Sequence, residues 1–226
     1  MVLGGSAHTI EILSHSKLTR ARVTGRLVGD ILHTLKARCR VGTNLLELDR
    51  WTGAMIRDAG ALSCYVDYAP SFDRGPFGHY ICTSVNDTVL HGMPSDYRLA
   101  DGDLLRLDLA VVKDGIAAEA AISFIAGDTR TPQDLAMIAA TEQALAAAIT
   151  IAGPGARLGD LPHAIEEVLF GAGYLINTEF GGHGIGAHRT HHRDHRHRDG
   201  DPHAPECKLR ARAMQSTPAR RNHTVT

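Results

Sequence analysis

Leu104-Leu105-Arg106-Leu107-Asp108-Leu109-Ala110-Val111-Val112-Lys113-Asp114-Gly115-Ile116-Ala117-Ala118-Glu119-Ala120-Ala121-Ile122-Ser123 is the stretch that decides the fold of this chain. Apolar runs on either side of Lys113-Asp114-Gly115 predict a β-hairpin, with strands over 104–112 and 116–125. Each strand carries one carboxylate in apolar company, Asp108 among leucines and valines, Glu119 among alanines and isoleucines. Burying one carboxylate is costly and burying two together costs more, unless a cation neutralises them. A two-residue loop makes paired positions add to an odd number, which puts Asp108 and Glu119 on one face. A three-residue loop puts them on opposite faces. On a shared face, their oxygens suit hard or borderline divalent ions such as Mn²⁺, Co²⁺, Fe²⁺ or Zn²⁺ once imidazole joins them. The competing reading pairs one carboxylate with Arg106 or Lys113 and leaves the other in solvent.

Working outward, Thr9 to Arg38 has helical apolar spacing, and Gly42 ends that segment. A second helix starts after Thr43 or Asn44, either of which can cap it, and runs to Ala59. Strands are expected over 63–68 and 80–85. After the hairpin, 133–151 reads as an Ala-rich helix, and its 135–153 stretch as a buried helix, not a membrane span, because Thr141, Glu142 and Gln143 interrupt it. Asp160 is a candidate cap for a helix over 161–169, with Pro162 in its first turn and Gly171 past its end. Tyr174 to Phe180 is strand-like and feeds the glycine-rich Gly181-Gly182-His183-Gly184-Ile185-Gly186. Helices followed by strands, twice over, suggest two related halves.

The chain has 226 residues, 43% of them apolar, and a net charge of −1. That suffices for a real core and gives no overall field that selects nucleic acid or an acidic membrane. The balance is uneven: residues 187–226 hold eight Arg and one Lys against three Asp and one Glu, a net +5, together with seven of the fourteen histidines. Four cysteines without close pairs, and an amino terminus interrupted by His8, Glu11 and His15, predict a cytoplasmic protein with reduced thiols.

Two histidines stand out. His91 lies in Asn86-Asp87-Thr88-Val89-Leu90-His91-Gly92-Met93-Pro94, on a loop from which imidazole can donate to a substrate carbonyl or developing oxyanion; the bland alternative is a surface residue. His183 has glycine on both sides, which leaves its ring free to ligate a metal. A phosphate loop in the same place would need a helix directly after it, and Ala187 onwards offers none.

Taken in order, Ser84-Val85-Asn86-Asp87, His91-Gly92-Met93-Pro94, Asp101-Gly102-Asp103, Leu107-Asp108 and Gly182-His183-Gly184-Ile185-Gly186 resemble the type I methionine aminopeptidases, from about residue 9 to residue 186. The resemblance implies an α+β pita-bread (creatinase/aminopeptidase) fold whose C-terminal part is incomplete here. It implies a centre of two divalent metal ions (Co, Mn, Fe or Zn) that removes N-terminal methionine from peptides or nascent chains. Asp108, Glu119 and His183 then fall at metal-ligand positions, His91 at the substrate-contacting histidine, and Cys82 and Phe77 where the family lines its methionine pocket.

This sequence also departs from that pattern. The family carries Asp where Glu119 stands. Thr190 occupies the position of a second catalytic histidine, and Glu206, the only glutamate after Gly186, has neither context expected for the family's remaining ligand glutamates. These departures predict a domain over 1–186 and a His/Arg-rich, disordered tail over 187–226, left by a truncation or a reading-frame change. They also keep a second function open, a catalytically dead aminopeptidase-like fragment that binds peptide or a partner protein. No membrane or nucleic-acid partner is expected; a basic-arm reading of the tail would show steeply salt-dependent binding.

Overall fold

A computed structural model of the chain describes residues 12–69, 75–129, 131–176 and 184–185. Strands β3 (Leu104–Lys113) and β4 (Ile116–Ile125) pair antiparallel along their whole length. Lys113 faces Ile116 across the two-residue loop Asp114-Gly115, whose φ angles of 51° and 73° are those of a type I′ turn. The other edge of β3 carries two short antiparallel strands, β2 (Cys82–Val85) against Leu105–Asp108 and β1 (Leu62–Ser63) against Val111–Val112. The strand expected over 63–68 stops at Ser63 because that side chain turns the chain. Its Oγ accepts from the amides of Tyr65 (3.1 Å) and Val66 (3.4 Å).

Helices α1 (His15–Arg38) and α2 (Leu45–Asp58) cover one face of the sheet. Helix α1 starts at His15, later than the expected Thr9, because Ser14 caps it and accepts from the Lys17 amide at 3.4 Å. Of the two candidate caps for α2, Asn44 is the one used, accepting from the Leu46 amide at 2.9 Å. Alternation along β3 sends Leu105, Leu107, Leu109 and Val111 into this core, all at 0% exposure, against Val28, Ile31, Leu35, Leu48 and Ile56. Each fully buried leucine contributes about 1.5–3 kcal/mol. Arg20 fastens α1 to the hairpin turn by donating to the Asp114 carbonyl at 2.7 Å.

Helices α3 (Pro132–Ile151) and α4 (Asp160–Gly171) pack against each other as a pair, around Met137, Ala140, Ala144, Leu169 and Ile176. Helix α3, expected as a buried helix, is buried along one side only. Its small alanines admit the neighbouring helix on one side, while Leu145 (59% exposed) and Ile149 (64%) remain outside. By length and composition alone, α3 is the one helix among the described residues long and apolar enough to cross a membrane. Asp160 opens α4 instead of capping it. Gly159 occupies the cap position, and the Asp160 carboxylate accepts from the Arg157 amide at 2.7 Å. Gly171 is the last residue of α4, and Gly173, at φ 82°, turns the chain away. Of the strand expected over 174–180, only 174–176 is described. His183 and the tail over 187–226 lie outside the described residues.

Candidate active site

The sheet face opposite α1 and α2 collects the polar residues. Across three strands, Cys82, Asp108 and Ala121 stand in one row, and Glu119 faces Ala110 in the adjacent row. The two-residue turn therefore sets Asp108 and Glu119 diagonally on one face, the arrangement that a short loop requires. A single phenol joins them. The Tyr65 hydroxyl donates to Asp108 Oδ1 at 2.9 Å and lies 3.3 Å from Glu119 Oε1. Tyr65 is buried, and its ionisation is pushed far above the usual phenol range, first by burial and then by the charges of Asp108 and Glu119. It therefore stays a neutral donor with one proton for two carboxylates.

Two half-buried carboxylates around one hydroxyl are a donor set that fits a hard divalent cation. The competing charge-pair reading survives only in part. The Lys113 ammonium points elsewhere, donating to the Ala59 carbonyl at the end of α2 at 2.5 Å. Arg106 does neighbour Asp108; burial lowers its pKa and the Asp108 charge opposes that shift. Glu119 shares the Asp108 environment and is half-buried.

The other predicted residues arrive from β2 and the loops. Cys82 is buried, and its thiol is held protonated, first by burial and then by Asp108 and Glu119. Phe77 packs against the cluster of Tyr65, Cys82 and Ala110, with its ring edge-on to Tyr65 at 5.9 Å. His91 sits on a loop zipped onto β2: the Thr83 amide donates to the Gly92 carbonyl (2.7 Å), and the Gly92 amide to Ser84 Oγ (3.2 Å). That places ligand atoms of Cys82, His91 and Asp108 all within 4.8 Å of one another. His91 has a φ of 53°, a left-handed conformation that is uncommon for non-glycine residues.

Asn86 and Asp103, part of the motif that carries the resemblance, do structural work. Asn86 donates to Asp103 (2.8 Å) and accepts from the Leu104 amide (3.0 Å). Asp103 also accepts from the Tyr97 hydroxyl and the Ala100 amide, each at 2.8 Å, so the loop is tied to the start of β3. His79 ties the loop before β2 to α2: its Nδ1 lies 3.0 Å from Asp49 Oδ2. Tyr65 went unnoticed in the sequence. The one signal for it is the serine two residues earlier, which turns the chain inward.

A sheet face bearing paired carboxylates beside a histidine is a donor set of the kind that holds a divalent metal ion. The profile of metallopeptidase family M24 matches residues 19–224. The methionine aminopeptidase of Aquifex aeolicus is 30% identical over 178 residues, which are 78% of this chain and 69% of that one. Methionine aminopeptidase 1 of Mycobacterium tuberculosis is 36% identical over 180 residues, 76% of this chain and 65% of that one. Among solved structures, methionine aminopeptidase from Rickettsia prowazekii superposes with a TM-score of 0.73 at 27% identity, covering 79% of this chain and 69% of that one. The enzyme from Thermotoga maritima gives 0.73 at 25%, covering 80% and 70%. Aminopeptidase PepP of Pseudomonas aeruginosa shares the fold alone, with a TM-score of 0.60 at 19% identity over 70% of this chain and 34% of that one. The chain belongs to metallopeptidase family M24, among its methionine aminopeptidases, and has their pita-bread fold. It spans about two thirds of the length of these relatives.

Proposed function

We propose that this chain acts as a metal-dependent methionine aminopeptidase, with Asp108, Glu119 and His183 as metal ligands and His91 contacting the substrate. Cys82 and Phe77 would line the pocket for the methionine side chain. The observation that carries this reading is the sharing of the Tyr65 hydroxyl by Asp108 and Glu119 on one sheet face. A bound divalent ion, or a pair of them drawn from Co, Mn, Fe or Zn, would supply Lewis-acid polarisation of the scissile carbonyl and a water of lowered pKa. Tyr65, bonded to both carboxylates, would hold them together on the face where such an ion binds. The clamped loop holds His91 where its imidazole can donate to the carbonyl oxygen as negative charge develops. Phe77 and Cys82 offer an apolar, polarisable wall suited to a thioether side chain.

Free thiols at the described Cys39 and Cys82 support a cytoplasmic location. The 1–186 unit is proposed as the catalytic domain and 187–226 as an appended tail. The test is methionine release from Met-Ala or Met-Gly peptides with Mn²⁺ or Co²⁺. Release by the wild type that Asp108→Asn abolishes supports the proposal. The replacement of Asp by the longer Glu119 favours a second reading, a non-catalytic relative that binds peptide. Peptide binding without release would select that reading.

A further inference from the structure

We propose that Cys82, His91 and Asp108 form an alternative mononuclear site for a borderline-soft divalent cation, with Zn²⁺ the natural occupant, and that its occupation withdraws His91 and Cys82 from the substrate roles proposed above. Their ligand atoms already lie within 4.8 Å of one another. Zinc bonds of about 2.0–2.3 Å place tetrahedral ligand atoms roughly 3.3–3.8 Å apart. Closing the site therefore asks for a shift of about an ångström, which the exposed His91 ring can supply by changing rotamer.

The other two ligands stand on a rigid frame, because Cys82 and Asp108 are register partners in the β2–β3 ladder. The His91 loop is also preset. It is bonded to β2 at Thr83 and Ser84, and His91 is held at a φ of 53°. Such conformations persist where the surroundings over-determine them, and they cluster at ligand clamps. Thiolate, imidazole and carboxylate make a softer donor set than the Asp108–Glu119 pair, and three protein ligands leave a fourth position for water. Binding releases the Cys82 thiol proton to solvent, and the cation compensates the buried thiolate and carboxylate charges. The site shares Asp108 with the carboxylate pair, so a metal at one weakens binding at the other.

Cobalt reports thiolate ligation directly, through a sulfur-to-cobalt charge-transfer absorption in the near ultraviolet, whether or not the chain cleaves peptides. Titration of the full chain with Co²⁺ under reducing, anaerobic conditions should raise that band to saturation at one equivalent. Cys82→Ser should abolish it, and His91→Ala should weaken the affinity at least about tenfold. Glu119→Gln, Cys39→Ser, Cys64→Ser and Cys207→Ser should all retain it. The proposal is overturned if the wild type shows no band, if the band survives Cys82→Ser, or if Glu119→Gln removes it. Should Cys82→Ser fail to fold, zinc X-ray absorption of the wild-type chain decides: one sulfur at about 2.3 Å upholds the site, and a shell of nitrogen and oxygen alone overturns it.

Discussion

Gly92 has no room for a methyl group: an added Cβ would lie 2.2 Å from the Thr83 carbonyl oxygen, in the backbone of β2. Gly92→Ala must therefore push the His91 loop off the strand, and we expect it to cost about 1–3 kcal/mol in thermal unfolding. An unchanged Tm would mean that the loop is not clamped as described. Tyr65→Phe keeps the ring packing and deletes only the hydroxyl shared by Asp108 and Glu119. Hydrogen bonds to charged acceptors contribute about 1.5–3 kcal/mol, and urea unfolding should show a loss of that order. Cys39 carries a pH signature, because burial raises its thiol pKa from 9.0 to about 11. The folded-state value is the higher one, so the associated stability is full below about pH 9. It falls as the unfolded thiol ionises and is gone above about pH 11, a change of roughly 2–3 kcal/mol. Subtracting the stability–pH curve of Cys39→Ala from that of the wild type isolates this contribution, and a flat difference would refute it.

At the scale of elements, the β3–β4 hairpin sets the geometry of the site. Its turn needs positive φ at both Asp114 and Gly115. Gly115→Val puts a β-branched side chain at a φ of 73°, and we expect a loss of about 1–2 kcal/mol or more in thermal unfolding. Equal stability would argue that the turn had changed type without disturbing the register. This hairpin was the most legible part of the sequence, since Asp-Gly between apolar runs announces the turn and fixes the parity that brings Asp108 and Glu119 together. The choice between a two- and a three-residue loop needed the structure. Cys82 and Phe77 were readable only through resemblance, because what unites them with the carboxylates is a cross-strand register and a loop path with no local pattern. Tyr65 was hidden for a related reason. Alternation predicted a continuing strand, and the Ser63 side chain overrode it by capturing the next two amides. Composition could likewise show that α3 is apolar, but not which of its sides a neighbouring helix would take.

In the whole molecule, two packed bodies of unequal strength share one sheet. The larger core joins α1 and α2 to β3 through fully buried leucines and isoleucines, whereas α3 and α4 meet in a smaller cluster of two alanines and a few larger side chains. Leu104 is the β3 residue that packs into that second cluster, and Leu145 and Ile149 on α3 stay largely exposed. Less apolar area buried per residue means a smaller free energy for opening the α3–α4 pair than for unfolding the sheet. A cavity of about 440 Å³, lined by Leu32, Ala121, Met137 and Leu145 among others, lies between α1, the edge of β4 and α3, and it weakens the join further. Native-state hydrogen exchange should therefore find the β3 amides opening only with global unfolding, while those of α3 and α4 exchange through a lower, sub-global opening. Equal protection in the two bodies would show that the helix pair is an integral part of the cooperative core.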